Sequence, residues 1–362
     1  MQKKIVIAPD SYKGCLPARE VSAAMAAGVR AALPGAEVVP LPLADGGEGT
    51  LEILTDALGG ECREAVVSDP LGREIRARYG VAGDRAVIEV AQACGLGLLS
   101  PAERNPLTAT TRGVGELILA AFRDGCRRYL IGLGGSATCD GGAGMLSVPG
   151  IRQVLQEGEF ELLCDVRAPF IGPDGAARVF APQKGASPAD VELLEQRMTE
   201  LAGLFARETE TDVSALPGAG AAGGLGGALM AYAGAVMCSG VDKIIDLVGF
   251  DQAIQQADLI LTGEGRSDAQ TLLGKVPCGV LRRAAGIPVA LVSGAITDAD
   301  ALRQAGFAEL VPVSPAGLPL QEALKPEIAA INIRQAARML LLSAEKRFAG
   351  QAGEGRRLQT GE

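Results

Sequence analysis

Histidine does not occur anywhere in the 362 residues of this chain, and tryptophan is also absent. The missing histidine excludes Ser-His-Asp hydrolases, dehydrogenases with a histidine base and most zinc hydrolases. Phosphoryl transfer is not excluded, because it depends on positioning, magnesium and cationic groups, and a carboxylate can accept the proton. Aromatic residues make up only 3% of the chain. The hydrophobic cores must therefore be built from Leu, Val, Ile and Ala.

Positive charge is also in short supply. The formal net charge is −9 and the sequence pI is near 4.9, which is the wrong sign for a general nucleic-acid binder. No run of 18 apolar residues occurs, so we expect no transmembrane helix. The N-terminus, MQKKIVIAPDS, is typical of a first strand rather than of a signal peptide. We therefore expect neither a nucleic-acid partner nor a membrane partner.

Cysteine pairs with the spacing of metal or redox motifs are missing as well. The eight cysteines are scattered without CxxC spacing. Because histidine is absent too, a structural zinc site is not expected. This pattern predicts reduced cysteines that mostly pack in the interior of a cytoplasmic protein.

Short apolar runs alternate with longer helical patterns along the chain. The runs are uniformly apolar, as in strands buried on both faces of a parallel sheet, and they include residues 3–10, 128–135, 257–265 and 288–294. The helical patterns between them include residues 17–32, 188–206 and 328–345. This alternation predicts an α/β architecture, and the length suggests two domains of roughly 100–200 residues.

Twelve of the 49 glycines are clustered in two long loops, each of which leads into a helix. The first is IGLGGSATCDGGAGML (131–146) and the second is PGAGAAGGLGGAL (217–229). Glycine lets backbone N–H groups approach a ligand, so such loops suit phosphates or a carboxylate. Tight turns without a ligand are the alternative.

GKV (274–276) does not match a Walker A loop, whereas GLGGSA (132–137) matches a weak dinucleotide fingerprint.

Charged residues of both signs lie in loop-like contexts beside small residues. The carboxylates among them are Asp10, Asp45, Asp140, Asp165, Glu264 and Asp268. Carboxylates at the carboxyl edge of a parallel sheet converge on a ligand, where they can hold magnesium or accept a proton. Each one alone could instead be a helix cap or a turn former. The cations in such contexts are Lys13, Arg104, Lys184, Arg266 and Lys275.

Eight motifs occur in an order that resembles the bacterial glycerate kinase family, which includes the glycerate 2-kinases. They are IAPDSYKG (7–14), LADGGEGT (43–50), RNPLTATTRGVGELI (104–118), IGLGGSATCDGGAGML (131–146), CDVRAPFIG (164–172), FAPQKGAS (180–187), GAGAAGGLGGAL (218–229) and LTGEGRSD (261–268). The resemblance runs from about residue 3 to residue 345. It implies transfer of the ATP γ-phosphate to D-glycerate, with 2-phosphoglycerate as the usual product and 3-phosphoglycerate as the alternative.

The resemblance also implies two α/β domains, one of them flavodoxin-like or Rossmann-like with a parallel sheet, and a ligand cleft between them. On this basis we expect residues 1–85 and 285–350 to form a discontinuous first domain. Residues 86–284 would form the inserted second domain, and residues 351–362 a flexible tail. Apolar Ala/Leu faces on the helices would permit a homodimer.

The placement of the motifs leads to a working set of roles. The groups assigned to catalysis are Asp45 and Asp268 as candidate bases and Lys13, Lys184 and Arg266 as cations that neutralise charge on the glycerate or the moving phosphoryl group. The groups assigned to binding of substrate or nucleotide are Asp10, Ser11, Gly46, Gly47, Arg104, Gly134, Gly135, Ser136, Thr138, Gly220, Gly223, Gly224, Glu264 and Lys275. Asp140 and Asp165 are the candidate ligands of the Mg²⁺ that accompanies ATP.

Two features depart from the family pattern. Cys139 stands where the family usually has Asn, which exchanges a good hydrogen-bonding side chain for a weak one. The segment between residues 146 and 164 looks much shorter than in relatives, as if most of a loop and a strand were lost. One alternative is therefore a catalytically impaired homologue that binds glycerate or nucleotide. Another is an NAD-dependent oxidoreductase that uses the GLGGSA turn.

Overall fold

The computed structural model describes residues 2–357. The strands within these residues are β1 Lys4–Ile7, β2 Glu37–Pro40, β3 Glu61–Ser68, β4 Glu74–Ala82, β5 Arg85–Glu89, β6 Arg128–Gly132, β7 Glu159–Leu163, β8 Val236–Cys238, β9 Leu259–Thr262, β10 Arg266–Ser267, β11 Val289–Ser293, β12 Ala295–Ile296 and β13 Glu309–Pro312. The α-helices are α1 Ala18–Ala32, α2 Thr50–Ala57, α3 Ala91–Cys94, α4 Arg112–Arg123, α5 Ala143–Leu146, α6 Ile151–Glu157, α7 Ala176–Phe180, α8 Pro188–Thr209, α9 Leu225–Ala233, α10 Gly240–Leu247, α11 Phe250–Ala253, α12 Val276–Arg283, α13 Ala299–Ala305, α14 Leu320–Ala323 and α15 Pro326–Arg357.

The chain divides into two compact units, and the first is discontinuous. It comprises residues 1–43 and 249–362, and the second unit comprises residues 44–248. These boundaries differ from the expected ones near residues 85 and 285. The stretch before residue 85 belongs to the second unit because β4 is hydrogen-bonded to β5 there. The stretch after residue 248 belongs to the first unit because β9 pairs with β1.

The first unit is built on a parallel five-stranded sheet with the order β13-β11-β9-β1-β2. When the sheet is read from its β2 edge and the strands are numbered along the chain within this unit, the order is 2-1-3-4-5, which is the flavodoxin-like order. The α/β architecture with parallel sheets is therefore confirmed. In such a sheet the strand order reverses between β1 and β9, and ligands bind beyond the carboxyl ends of the strands at that switch point.

Helices α1 and α15 pack against each other in the core of the first unit. Helix α1 buries Val21, Met25 and Val29, which recur at helical spacing on one face. The backbones approach closely at Gly28, where a Cβ would overlap the carbonyl oxygen of Arg334 and lie 3.0 Å from the Cβ of Ala337. Glycine at this helical position is therefore required by packing.

The second unit contains a mixed six-stranded sheet with the order β3-β4-β5-β6-β7-β8. Strands β3, β4 and β5 pair antiparallel, and β5 through β8 pair parallel. The carboxyl ends of the four parallel strands consequently lie along one edge. The short connection flagged in the sequence retains α6 and β7, and β7 pairs in register with both β6 and β8. The sheet is therefore uninterrupted.

The C-terminal part and the helices complete the description. None of the helices between residues 2 and 357 is both long enough and apolar enough to cross a membrane. The stretch expected to be a flexible tail, residues 351–362, begins within α15, and residues 358–362 lie outside the described residues.

Replacing Gly28 with alanine should destabilise the protein, although Gly→Ala in a helix interior usually stabilises by about 1 kcal/mol. The added methyl group has no room against α15, and overpacking of this kind costs about 2 kcal/mol. Gly203→Ala is the matched control, because its Cβ would meet only the flexible end of Arg207 at 3.4 Å. Urea denaturation should show a lower midpoint for Gly28→Ala and an equal or higher one for Gly203→Ala; equal behaviour of the two variants would contradict the packing argument.

Candidate functional site

The switch point of the first unit places two buried carboxyl groups beyond neighbouring strands. Asp10 follows β1 and Glu264 follows β9, and both side chains are buried. The backbone N–H of Asp10 donates to the carbonyl oxygen of Gly263 at 2.9 Å, which holds the two strand ends together. The N–H of Ser11 donates to Asp10 Oδ1 at 2.6 Å. The predicted binding residues Asp10, Ser11 and Glu264 therefore lie at the position that the topology favours for a ligand.

Glu264 is the centre of a hydrogen-bond network in the first unit. Its Oε1 accepts from the hydroxyls of Thr271 at 2.6 Å and Ser267 at 3.1 Å. Its Oε2 lies 3.1 Å from Lys275 Nζ. Ser267 Oγ lies 2.8 Å from Ser293 Oγ at the end of β11. Glu264 thus fixes the loop between β9 and α12, and the hydroxyl residues around it were missed from the sequence because Ser and Thr in loops carry no distinctive pattern.

Lys13, Arg266 and Asp268 lie in the same unit but are less deeply placed. Lys13 is exposed, and its backbone N would lie 3.5 Å from a Cβ on Gly265. Arg266 is also exposed, with Nε 3.6 Å from Asp268 Oδ2. Asp268 Oδ1 accepts from the N–H of Gln270 at 2.9 Å and so caps a short 3-10 helix. This capping role competes with the role of base that the sequence suggested for Asp268.

Three glycine-containing segments of the second unit meet at the carboxyl edge of its parallel strands. The N–H of Gly134 donates to the carbonyl oxygen of Gly46 at 3.2 Å. A Cβ on Gly46 would overlap the carbonyl oxygen of Leu163, and a Cβ on Gly134 would lie 2.6 Å from Gly47 Cα. Asp45 Oδ1 accepts from the N–H of Gly47 at 3.0 Å. The backbones are in direct contact, which only glycine allows.

The two glycine-rich loops predicted from the sequence also touch each other. Gly141 donates its N–H to the carbonyl oxygen of Gly223 at 3.0 Å. A Cβ on Gly223 would overlap the carbonyl oxygen of Thr138 and lie 2.7 Å from Cys139 Cα. Two other predicted glycines are buried in this region: Gly220, whose N–H lies 3.0 Å from the carbonyl oxygen of Ala168, and Gly224, with φ +90°. Gly135, with φ +76°, is exposed.

Lys184 is a buried cation that points at the first of these loops. Its side chain is 3% exposed, and Nζ donates to Ser136 Oγ at 2.9 Å and to the carbonyl oxygen of Thr138 at 2.7 Å. Burial lowers the pKa of Lys184, while nearby Cys139, Cys94 and Asp140 act in the opposite direction. Gly185, with φ +101°, follows the lysine at the end of a short 3-10 helix.

Arg104 joins this cluster through close packing of its backbone. A Cβ on Gly185 would lie 2.7 Å from the carbonyl oxygen of Arg104 and 3.3 Å from its Cβ. Within the described residues, Nε of Arg104 is buried without a hydrogen-bond partner. The structure therefore brings together four residues that the sequence singled out, namely Arg104, Ser136, Thr138 and Lys184.

Asp140 is half-buried and holds the loops around it. Its Oδ2 accepts from the N–H and the hydroxyl of Thr111 at 2.8 and 2.9 Å and from the N–H of Gly144 at 3.1 Å. Its Oδ1 accepts from the N–H of Gly142 at 3.0 Å. Burial raises the pKa of Asp140, and these hydrogen bonds oppose the rise. Both oxygens are engaged, so a metal ion at Asp140 would have to displace one of these donors.

Asp165 presents a more accessible carboxylate. It follows β7, is exposed, and accepts from the N–H of Val241 at 3.4 Å and from the hydroxyl of Ser239. The pKa of Asp165 is raised because the surrounding protein removes part of its hydration, and because the charges of Asp45 and Asp242 lie near. No cluster of three or more Cys, Asp or Glu side chains suited to a metal ion occurs in the part of the chain that the structure describes.

Glu89 is a buried carboxyl group at the same sheet edge that the sequence analysis missed. It ends β5, is 4% exposed, and its pKa is raised to about 7 chiefly by burial. The feature of the sequence that could have identified Glu89 was its position as an acidic residue directly after the apolar run AVI (86–88). That signal was weaker than the glycine-rich motifs, because no small residues surround Glu89.

Two doubts raised by the sequence have structural answers. Cys139 is buried in a small apolar cluster with Ala177, Ala181 and Leu194, where a side chain that hydrogen-bonds weakly is accommodated. The GLGGSA turn (132–137) follows β6 but does not open a helix, since α5 begins only at Ala143. The turn therefore lacks the strand–turn–helix context of a dinucleotide fingerprint.

Comparison with known proteins adds independent findings. A family model described as "Glycerate kinase family" matches residues 5–159 and 147–343. A glycerate kinase of Bacillus subtilis is 41% identical over 89% of this chain and 93% of that protein. The glycerate 2-kinase of Escherichia coli is 41% identical over 82% of this chain and 86% of that protein. A crystal structure assigned to glycerate kinase 2 of Salmonella typhimurium LT2 is similar with a TM-score of 0.82 and 39% identity, covering 97% of this chain and 100% of that one.

The comparisons also bear on the short connection before β7. The two segments matched by the family model meet within residues 147–159, where the sequence led us to expect a shorter connection. The alignment with a Bacillus cereus glycerate kinase extends over 382 positions at 39% identity. Because this chain has only 362 residues, that relative carries residues without a counterpart here.

Asp140→Asn should lower the free energy of unfolding by about 2 kcal/mol even without magnesium. The amide can replace one oxygen but turns an NH₂ group toward a backbone donor, which leaves that donor unsatisfied. Urea denaturation in the presence of a chelator measures this, with the exposed Asp174→Asn as a control that should stay within about 0.5 kcal/mol of wild type. Unchanged stability combined with a lost magnesium requirement would instead assign Asp140 to the metal.

Proposed function

The chain belongs to the glycerate kinase family, and from this premise we propose that it transfers the γ-phosphoryl group of ATP to D-glycerate with 2-phosphoglycerate as the product. Kinase activity on glycerate follows from the family and from curated relatives at about 40% identity over most of the chain. The 2-phosphoglycerate product is supported by the name of the Escherichia coli relative, glycerate 2-kinase. Phosphorylation of the 3-hydroxyl is the alternative that the product analysis below separates.

The observation that carries the proposal is the buried cation beside the glycine-rich loop. The two hydrogen-bond partners of Lys184 Nζ, Ser136 Oγ and the carbonyl oxygen of Thr138, are neutral oxygens. Asp140 acts on Lys184 only through space, because its oxygens accept from Thr111, Gly142 and Gly144, and burying a positive charge without an opposite charge in direct contact is costly. An anionic ligand, either a phosphate of ATP or the carboxylate of glycerate, would supply that opposite charge. Lys184 is therefore the proposed cation that stabilises negative charge during transfer.

The surrounding residues support an anion site of this kind. Arg104 lies beside Gly185, and its guanidinium can bind a phosphate or carboxylate in a bidentate manner. The loop through Gly134, Gly135 and Ser136 sits at the carboxyl end of β6, where backbone N–H groups can approach phosphate oxygens. We assign to Gly220, Gly223 and Gly224 the role of holding this loop from its other side.

Carboxylates of the second unit provide a candidate base and a candidate magnesium ligand. Mg²⁺ is bound in proteins by one or two carboxylates together with phosphates and water, and the exposed Asp165 fits that requirement better than Asp140, whose two oxygens are both engaged. When bound, the ion would neutralise charge on the ATP phosphates. Asp45 is our candidate for the group that accepts the hydroxyl proton of glycerate, and Asp268 is the second candidate.

In the first unit, we propose that residues around the switch point bind the substrate or the nucleotide and neutralise its negative charge. Asp10, Ser11, Glu264 and Lys275 are the proposed binding groups, and the exposed Lys13 and Arg266 are the proposed neutralising cations. Glu264 acts by fixing the loop that carries Lys275.

The shortened connection between β6 and β7 favours one further candidate, a homologue that binds glycerate or nucleotide without turnover. The uninterrupted pairing of β6, β7 and β8 argues for an intact sheet edge.

We also propose that the enzyme works in the cytoplasm, consistent with eight free cysteines. A homodimer is proposed through exposed apolar side chains such as Leu320 on α14 and Ile331 and Met339 on α15.

The reaction is tested by a coupled ADP-release assay on the purified protein with ATP, magnesium and D-glycerate, with the product identified by phosphorus NMR. We expect turnover, and a phosphorus signal of 2-phosphoglycerate rather than 3-phosphoglycerate. A folded protein that releases no ADP, but whose Tm rises with glycerate or ATP, would replace the kinase with the binding homologue.

Lys184→Met should reduce kcat/KM by at least about 100-fold, the scale on which removal of a group that stabilises transition-state charge acts. Folding should be little affected, because replacing a buried charge by an apolar side chain of similar size is often neutral or stabilising. Lys325→Met is the control, since Lys325 is half-exposed and pairs with Glu322 on the surface. Wild-type kcat/KM in Lys184→Met would remove Lys184 from the reaction.

A further inference from the structure

Glu89 lies at the carboxyl edge of the parallel strands of the second unit, but none of the roles proposed above uses it. It is the last residue of β5 and pairs in register with Gly132, the last residue of β6. Its side chain is 4% exposed. A carboxyl group buried to this extent needs partners, because an unpaired buried charge is costly.

The partners of Glu89 connect it to the first turn of α2. Oε1 accepts from the N–H of Leu51 at 2.7 Å, and the side chain of Gln92 provides a second hydrogen bond. The first N–H groups of a helix have no partner within the helix. The residue before α2 is Gly49, which has no side chain to cap them. Glu89 thus caps α2 from another strand, at the end of the helix where a negative charge is favoured.

Helix α2 begins directly after the loop that carries Asp45. That loop is held to the sheet edge through Gly46, whose carbonyl oxygen accepts from Gly134 and whose Cα approaches Leu163. The position of the first turn of α2 therefore sets where the loop ends. A side chain that fixes this turn also fixes the loop between Asp45 and Gly49.

We propose that Glu89 is a positioning residue for the kinase reaction: its carboxylate clamps the first turn of α2 to the end of β5 and thereby holds the Asp45–Gly49 loop in place. The proposal rests on the proposed function, in which Asp45 takes part in the reaction. The clamp is stronger when Glu89 is charged, since hydrogen bonds to an ionised acceptor are roughly twice as strong as neutral ones.

The charge on Glu89 depends on pH in the neutral range. Burial raises the pKa of Glu89 from 4.5 to about 7, with Glu52 and Glu48 acting in the same direction and the hydrogen bonds from Leu51 and Gln92 opposing them. On β4, Arg78 pairs with Glu52. On β6, Arg128 pairs with Glu159 at the opposite end of the strand.

The raised pKa means that the clamp is maintained at a cost in stability. Between pH 4.5, where the unfolded group ionises, and pH 7, the folded state holds the proton more tightly than the unfolded state. The free energy of unfolding therefore falls as the pH rises through this window. A side chain that lowers stability at neutral pH is expected where function requires it.

Glu89→Gln tests the proposal because glutamine keeps the shape and the acceptor oxygen but cannot carry the charge. At pH 8 we expect kcat/KM for glycerate to fall about five-fold, which is the difference between a charge-assisted and a neutral hydrogen bond. At pH 6, where wild-type Glu89 is mostly protonated, the two proteins should have equal kcat/KM. A role confined to folding would lower activity by the same factor at both pH values, and that result would overturn the proposal.

Glu48→Gln is the matched control, since it removes an exposed negative charge next to Glu89 without touching the clamp. It should move the acidic limb of the kcat/KM profile to lower pH, because removing this negative charge lowers the pKa of Glu89. A profile that does not move in Glu48→Gln would show that the limb belongs to another group and would contradict the proposal.

A readout without activity separates this inference from the proposed function. Hydrogen exchange of the peptide covering residues 44–58 should be faster in Glu89→Gln than in wild type at pH 8, while the Tm of the variant is equal or higher. If the wild type fails to phosphorylate glycerate at any pH, the proposed function fails, and exchange still decides whether Glu89 holds the loop. Unchanged exchange would overturn the clamp.

Discussion

Direct contact between backbones at the carboxyl edge of the second sheet is the constraint on which the candidate site depends. Gly134 and Gly47 approach so closely that a Cβ would lie 2.6 Å from the neighbouring Cα, and Gly223 leaves no room for a side chain against Thr138. Because no side chains separate these segments, their N–H and carbonyl groups fix one another's positions. This packing of the backbones positions Ser136, Lys184 and Asp45. The clustered glycines are therefore part of the architecture as well as candidates for contact with a ligand.

Charged groups that are buried or half-buried form a second theme, and each is stabilised in a different way. Asp140 is satisfied by four hydrogen bonds from Thr111, Gly142 and Gly144, and Glu264 by two hydroxyls and Lys275. The hydrogen-bond partners of Lys184 within the described residues are neutral, so it is the buried charge that stands to gain most from an anionic ligand. The hydrogen-bond partners thus distinguish Asp140 and Glu264, which stabilise the fold, from Lys184, which we propose binds an anionic ligand.

The short connection before β7 shows which part of the architecture tolerates loss. The chain passes from β6 to β7 through α5 and α6, and the register of β7 with both neighbours is continuous. Parallel pairing requires a crossover of about a dozen residues or more, and the connection meets that requirement.

The sequence by itself determined the α/β class and the family, because uniformly apolar runs report buried parallel strands and eight ordered motifs resemble one family. It also singled out Lys184, since its neighbours are small and loop-forming, and Ser136 and Arg104, which lie in motifs that resemble the family. The unit boundaries and the engagement of Asp140 were decided by tertiary structure, because strand pairing and hydrogen bonds join residues far apart in the chain. Glu89 illustrates the limit: its partner Leu51 lies 38 positions earlier, and no local pattern can report a contact that exists only when the sheet and α2 come together.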